Sequence, residues 1–315
     1  MHPFKRLLYR FLSTLRPDVR KNYRLVRRLQ KAVNPVLPSY RFLDYHVMVN
    51  EREIPVRIFD PPAPKGRLIL LFFHGGGWVS GDIDTYTGIC RHMAAEIGAV
   101  VISVDYRLAP EHPFPAGLED CFAVYRAILE HPYIRPVRQS KIILAGDSAG
   151  GNLAIGVSLL AAKNHLKRPF RQILLYPSTA GDHRDLSDFP SLSENASGFG
   201  LSSQDVKDYF NLYMGSAAGG KADPLATPLL ADRSWLKRQP PTLLLVAELD
   251  PLRDEGLAFA DRLRQVGVAV EVFCLEEAVH GFLAFSKKHR DVVKCYEIIN
   301  AFLEEAVADV ERKRK

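Results

Sequence analysis

Apolar runs alternate with amphipathic helical patterns from residue 41 onward, and Gly, Pro and Asp residues separate them. The runs typical of strands are 42–49, 53–58, 67–73, 99–105, 141–145, 171–176, 242–247 and 269–274. The helical patterns lie near 85–97, 115–130, 149–163, 254–266 and 288–307. This alternation predicts an α/β fold with a mainly parallel, eight-stranded sheet flanked by helices.

The strand candidates differ in texture along the chain. In each of the first two, apolar and polar positions alternate. Only Asn50–Arg52 separates them, which predicts an antiparallel hairpin. Later runs such as Leu68–Phe73 and Thr242–Val246 are almost continuously apolar. That texture is typical of parallel strands that helices cover on both faces.

One long interval interrupts the alternation between Pro177 and Pro241. It contains polar, Gly/Ser-rich loops and a helical pattern that begins near Ser202, with Asp205 placed to complete a capping box. Insertions of this length in a compact domain are usually functional. We therefore expect residues 181–235 to form a cap over a core made of 41–180 and 236–315.

The N-terminal residues combine apolar helical spacing with positive charge. Residues 1–31 hold ten Lys or Arg and one acid, in a chain whose net charge is +6. The apolar positions of 3–16 are Leu7, Leu8, Phe11, Leu12 and Leu15, and a second amphipathic stretch covers 18–33. We assign residues 1–40 to the cap, because burying a leucine contributes about 1.5–3 kcal/mol and a basic residue near an anionic surface about 1 kcal/mol. Binding of residues 1–31 to a membrane surface is the less favoured alternative.

Composition excludes several classes of protein. The longest apolar runs are far shorter than the roughly 20 residues of a membrane-spanning helix. Arginines break the N-terminal apolar runs, which argues against a secretory signal. The four cysteines show no metal-ligand spacing, and three lie in apolar sequence, as expected of buried thiols in a reducing compartment. We expect a cytoplasmic protein with no cofactor, metal or nucleic-acid partner.

The strongest chemical signal is Gly146-Asp147-Ser148-Ala149-Gly150. It follows a buried strand candidate and opens the helical pattern 149–163, the context that a G-x-S-x-G nucleophile elbow requires. Ser148 is therefore the candidate nucleophile. A serine hydroxyl needs an adjacent base to attack a carbonyl.

The order of chemical groups along the chain narrows the choice of base and acid. In folds with this elbow the acid and then the histidine follow the nucleophile. His280 lies in a loop after the last strand candidate, whereas His289 lies among basic residues. Asp250 follows the strand 242–247 and is the candidate acid, with Glu248 as the alternative. The next two acids, Asp254 and Glu255, are expected to serve the N-terminus of a helix.

A second glycine-rich segment, His74-Gly75-Gly76-Gly77-Trp78, follows the buried strand candidate 67–73. It occupies the position of the HGGG loop, whose N–H groups stabilise the oxyanion formed during acyl transfer. The N–H of Ala149, directly after the nucleophile, completes this set of donors. We expect His74 to brace the loop rather than react.

These motifs resemble the hormone-sensitive-lipase-like family of α/β hydrolases, which includes bacterial carboxylesterases and acetyl esterases. The similarity extends over about residues 68–285. Its motifs are HGGGW at 74–78, YRLAPEHPFPA at 106–116, GDSAGGN at 146–152, Asp250-Pro251-Leu252 and His280-Gly281-Phe282. The resemblance implies the α/β-hydrolase fold with a helical cap and no cofactor.

The resemblance also implies site residues and an activity. Ser148, Asp250 and His280 would be the catalytic triad, and the N–H groups of Gly76, Gly77 and Ala149 the oxyanion hole. The expected function is hydrolysis of short- to medium-chain carboxylic esters through an acyl-enzyme. The alternatives are an amidase or deacetylase with the same triad, and a non-catalytic receptor for a small ligand. The expected partner is a small ester substrate, with a homodimer as a further option.

Overall fold

A computed structural model describes residues 18–37, 41–49, 52–65, 68–130, 141–181, 189–215 and 223–312. Its strands are β1 (Leu43–Val49), β2 (Arg52–Phe59), β3 (Leu68–Phe73), β4 (Val100–Val104), β5 (Lys141–Asp147), β6 (Arg171–Leu175), β7 (Thr242–Leu249) and β8 (Val270–Val279). Its helices are α1 (Val19–Val33), α2 (Thr87–Ile97), α3 (Ala116–Glu130), α4 (Ala149–Lys163), α5 (Ser191–Glu194), α6 (Ser203–Met214), α7 (Arg233–Leu236), α8 (Arg253–Gln265) and α9 (Arg290–Arg312).

The eight strands form one sheet in the order β1-β2-β4-β3-β5-β6-β7-β8. β1 pairs with β2 and β2 with β4 in antiparallel fashion, and the other pairs are parallel. This arrangement confirms the predicted sheet and its N-terminal hairpin. Because the carboxyl ends of parallel strands share one edge, the segments after β3, β5, β7 and β8 meet there.

Both faces of the central sheet are buried. Along β3 the side chains alternate: Leu71 and Phe73 pack into one apolar layer, and Leu70 and Phe72 into the other. The first layer contains α3, α4 and α8, and the second contains α2 and α9. A strand covered on both faces is apolar at every position, which explains its sequence.

The last strand is longer than its sequence pattern predicts. β8 ends at Val279 rather than at 274. Its pairing with β7 shifts register between Ala247 and Leu249, and Glu277 has a positive φ of 57°. The extra residues contain two adjacent glutamates on an exposed edge, so they lack the apolar alternation that marks a strand.

The predicted helix in the 177–241 interval is present as α6. Ser202 and Asp205 form the expected capping box at its N-terminus. The flanking helices α5 and α7 have four residues each, too short to show a helical period in sequence.

α1 packs beside α6 and the loop that follows β3. Arg20 forms an ion pair with Asp208 of α6 at 3.2 Å, and Arg27 donates to the Val79 carbonyl at 2.7 Å and pairs with Glu111. Residues 1–17, with the leucines predicted to enter the cap, lie outside the described residues. The assignment of 1–40 and 181–235 to a cap stays a prediction.

The structure bears on two predictions from composition, the burial of the cysteines and the absence of a membrane-spanning helix among the described residues. Cys90, Cys121 and Cys295 are buried and Cys274 is exposed, as expected of three cysteines in apolar sequence. In the part of the chain that the structure describes, each helix is too short or too polar to cross a membrane.

Candidate active site

Ser148 lies in the sharp turn between β5 and α4, with φ 55° and ψ −118°. A positive φ is strained for a residue with a side chain, and this strain is maintained by close packing around the turn. A Cβ at Gly146 would collide with the Gly150 carbonyl, and one at Gly150 would collide with the Phe73 carbonyl. The glycines on either side are therefore what allows strand and helix to approach closely enough to expose the serine.

Three predicted residues from distant parts of the chain meet beside this turn. The Nε2 atom of His280 lies 2.9 Å from the Oγ of Ser148. The Nδ1 atom of the same ring lies 2.7 Å from the Oδ2 of Asp250. Ser148 follows β5, Asp250 follows β7 and His280 follows β8. The three residues meet because the carboxyl ends of these parallel strands lie at one edge of the sheet.

The acid and the histidine are held from several sides. Asp250 is fully buried, and its second carboxylate oxygen accepts the N–H of Leu252 at 2.9 Å. The ring of Tyr176, which follows β6, packs edge-on against the imidazole of His280 with centroids 4.9 Å apart. The Tyr176 hydroxyl accepts the Leu283 N–H at 3.3 Å, which ties the segment after His280 to the core. The sequence contains no signal that Tyr176 packs against His280.

The neighbouring acids have other partners. Glu248, the alternative acid, accepts the N–H of Glu277 at 2.7 Å rather than contacting His280. Asp254 and Glu255 begin α8 as predicted, but their carboxylates accept from segments of the 177–241 interval. Asp254 accepts the N–H of Ser191 at 2.7 Å, and the buried Glu255 accepts that of Thr179 at 2.5 Å. Both acids therefore anchor that interval to the core.

The glycine loop after β3 presents backbone donors towards the same edge. Gly76 and Gly77 have φ of 112° and 62°, and a Cβ there would collide with Ser80 or with the ring of Tyr209. Among the described residues, neither glycine donates its N–H to a protein acceptor. Ala149 is the first residue of α4, where an N–H has no partner within the helix. Unpaired N–H groups of this kind suit a developing oxyanion.

Asp147, the residue before Ser148, connects the elbow to the glycine loop. Its carboxylate accepts the Gly75 N–H at 2.8 Å and the Tyr86 hydroxyl at 3.1 Å. Burial raises the pKa of Asp147 to about 6, although both hydrogen bonds favour its charged form. In the sequence, the place of Asp147 inside the elbow motif is the one signal of this role.

His74 is buried as a neutral brace. Its ring stacks on Tyr106 with centroids 4.3 Å apart, and its Nδ1 lies 2.8 Å from the Gly75 carbonyl. Burial lowers the pKa of His74 to about 4. A neutral imidazole with this contact donates from Nδ1, so the ring fixes the loop, in line with the expected bracing role.

Known proteins with similar sequences identify the family of this chain. A family model described as the alpha/beta hydrolase fold matches residues 70–284. The chain belongs to this family. Esterase LipI of Mycobacterium tuberculosis is 37% identical over 255 residues, which are 80% of this chain and 78% of that protein. Ethyl acetate hydrolase of Pseudomonas putida is 35% identical over 234 residues, or 73% and 71% of the two chains.

Solved structures agree with the sequence comparisons. The esterase of Pyrobaculum calidifontis superposes with a TM-score of 0.84 at 28% identity, covering 98% of this chain and 99% of that chain. The resemblance to hormone-sensitive-lipase-like bacterial carboxylesterases is confirmed, and so are the α/β-hydrolase fold and the class of ester hydrolase.

In this α/β hydrolase, Asp147→Ala is expected to lower kcat by about 10- to 100-fold with a smaller change in KM. The substitution leaves the Gly75 N–H and the glycine loop without a brace, and loss of a whole oxyanion donor costs about 10²–10³. Asp147→Asn keeps an acceptor of the same shape and should cost less. Steady-state kinetics of both variants test this; equal losses in the two would show that the charge, rather than the brace, matters.

The raised pKa of Asp147 also predicts a dependence of stability on pH. Its carboxyl titrates near 3.8 when exposed and at about 6 in the fold. The folded state therefore holds the proton more tightly, and this group's contribution to stability falls as pH rises from about 4 to about 6. The unfolding free energy of Asp147→Asn, relative to the wild type, should rise across that window and stay constant above it. Urea titrations at several pH values measure the difference; a flat difference would contradict the assignment.

Proposed function

We propose that this chain is a serine carboxylesterase that hydrolyses short- to medium-chain esters through an acyl-enzyme. The observation that carries the proposal is the continuous chain of contacts from Ser148 Oγ through His280 to the buried Asp250, at 2.9 and 2.7 Å. A serine at this strained turn has an adjacent base, and the base has an orienting carboxylate. Those are the parts that nucleophilic acyl transfer requires.

In the first step Ser148 Oγ attacks the ester carbonyl, and His280 Nε2 takes the hydroxyl proton. Asp250 accepts the Nδ1–H of the ring, which fixes the tautomer that leaves Nε2 free to act as a base. The buried carboxylate also stabilises the imidazolium that forms. Collapse of the tetrahedral intermediate breaks the bond to the alkoxy group, and His280 returns the proton to the leaving alcohol.

In the second step water takes the place of the alcohol. His280 removes a proton from water, the hydroxide adds to the acyl carbon, and Ser148 leaves with the proton returned to its Oγ. Both steps pass through an oxyanion. The N–H groups of Gly76, Gly77 and Ala149 are proposed to hold it, which is supported by their lack of acceptors among the described residues.

The proposed substrate class is supported by the names of two relatives, an esterase and an ethyl acetate hydrolase. A triad of this kind also cleaves amides, so leaving-group preference needs its own measurement. We expect turnover of p-nitrophenyl esters with short and medium acyl chains to exceed that of palmitate, and turnover of matched anilides to be far lower. Ser148→Ala supplies the background rate for each substrate.

The outcome of this panel separates the candidate functions. Anilide turnover equal to ester turnover would favour an amidase. Specific binding of the esters with no turnover above the Ser148→Ala background would favour a receptor. Either result would contradict the proposed carboxylesterase.

A further inference from the structure

Helix α1 has two faces of different character. Its inward face carries three basic residues that pair with acids of the body; the pairs are Arg20–Asp208, Arg27–Glu111 and Lys31–Asp82. Its outward face carries Leu25, Leu29 and Val33, at spacings of four residues, and points away from these pairs. The inward pairs hold the helix in place, so the outward leucines are presented to the surroundings.

The outward face is exposed although it is apolar. Leu25, Leu29, Val33 and the following Leu37 have between 44% and 73% of their surface accessible. Single exposed apolar residues are ordinary on a protein surface, but here three are aligned on the helix, and Leu37, beyond its end, lines the same groove as Val33. We call these four residues the α1 face. A covering partner would remove this patch from water.

The charged residues on the helix beside the α1 face are all positive. Lys21, Arg24 and Arg28 flank it, are exposed, and form no ion pair with a described residue. Residues 19–33 contain no acid. The seventeen residues before Asp18 add four more basic residues and no acid. A helix with leucines on one face and basic residues beside them has the composition of an interfacial helix.

The apolar surface continues beyond the helix. Val33 and Leu37 also line a groove of about 830 Å³ between α1, α2 and the segment after His280. Apolar side chains such as Phe285 line it, together with the exposed basic residues Lys287 and Lys288 and the acid Glu96 of α2. The apolar patch therefore extends from α1 into a groove whose lining contains more basic than acidic residues.

We propose that the α1 face docks this enzyme on an anionic lipid surface, with the leucines at the boundary of headgroups and acyl chains and the flanking basic residues on the headgroups. The charge complementarity selects this occupant. Two copies meeting through this face would bring their positive charges together, and a nucleic acid has no use for exposed leucines between the basic residues. This docking goes beyond the proposed hydrolysis and leaves the triad unchanged.

The experiment is co-sedimentation of the full chain with vesicles of phosphatidylcholine alone and of an equimolar mixture with phosphatidylglycerol. The wild type should bind the mixed vesicles, and much less the neutral ones, with binding that weakens as salt increases. Arg24→Gln with Arg28→Gln should weaken binding by about 30-fold at low salt. Leu25→Ser with Leu29→Ser should weaken it by about 10-fold or more.

Matched controls use exposed residues elsewhere. Leu43→Ser with Met48→Ser on β1, and Lys237→Gln with Arg238→Gln beside α7, should leave vesicle binding unchanged. All variants should keep the wild-type melting temperature and the wild-type turnover of p-nitrophenyl acetate, since none of these side chains contacts the triad.

Three results would overturn the proposal. The first is a wild type that fails to bind the mixed vesicles or binds both vesicles equally. The second is binding that is as sensitive to the control pairs as to the α1 pairs. The third is a dimer in sedimentation equilibrium that Leu25→Ser with Leu29→Ser converts to a monomer, which would make the face an interface between copies. A failure of ester hydrolysis itself would appear in the soluble assay and is distinct from all three.

Discussion

Ser148→Ala is expected to lower kcat for p-nitrophenyl acetate by about 10⁶-fold, because removing the nucleophile of a triad costs as much as removing the whole unit. The residual rate would come from binding and from the backbone donors of the glycine loop. The position tolerates alanine sterically as well as serine, since the strained turn is enforced by close backbone packing around it. The fold should therefore be intact in the variant.

Ser158→Ala is the matched control for this change. Ser158 is buried, whereas Ser148 is partly exposed, and it lies on α4 ten residues after Ser148 and away from His280. It should keep the wild-type kcat, KM and circular dichroism spectrum. Appreciable ester turnover retained by Ser148→Ala, in protein free of wild-type contamination, would remove Ser148 from the mechanism.

Asp250→Asn is expected to lower kcat by about 10⁴-fold. The carboxylate accepts from His280 Nδ1, whereas an amide nitrogen at that position would donate to it and move the ring proton to Nε2. The base would then face Ser148 with a proton instead of a lone pair. The amide also cannot stabilise the imidazolium. Kinetics at saturating p-nitrophenyl ester measure the loss.

Glu248→Gln tests the choice of carboxylate. Glu248 is the nearest alternative in sequence, but its carboxylate accepts the Glu277 N–H, and a glutamine oxygen can do the same. We expect less than a several-fold change in kcat. Asp254→Asn, whose acid binds the backbone of Ser191, should likewise change the rate little. If Glu248→Gln lost most of its kcat while Asp250→Asn kept the wild-type kcat, Glu248 rather than Asp250 would be the acid of the triad.

The sequence locates the strands of the sheet, and with them the three candidate triad residues, for one physical reason. Parallel strands buried on both faces are apolar throughout, and the segments at their carboxyl ends meet at one edge. Ser148, Asp250 and His280 each follow such a strand, so finding the strands places the three residues together. The Gly76–Gly77 loop is found in the same way, because only glycine fits the positive φ and the close packing there.

Other parts of the site lack such a signal. Tyr176 and Asp147 act through contacts with segments far away in the chain, and their own sequence neighbourhoods carry no period or spacing that predicts those partners. The contacts of Asp254 and Glu255 with the 177–241 interval also have no signal in the sequence. Acids are expected at the N-terminus of a helix, so their presence there does not indicate a further partner. The short helices α5 and α7 are stabilised by packing, and their four residues are too few to show a helical period.

Active-site labelling tests the central proposal most directly. A p-nitrophenyl alkylphosphonate should release one p-nitrophenolate per chain as the phosphorus bonds to Ser148 Oγ, and turnover of esters should disappear in proportion. Peptide mapping by mass spectrometry should find the adduct on the peptide that contains Gly146–Gly151, and the Ser148→Ala chain should remain unlabelled. An adduct on a different serine, or equal labelling of the Ser148→Ala chain, would contradict the account.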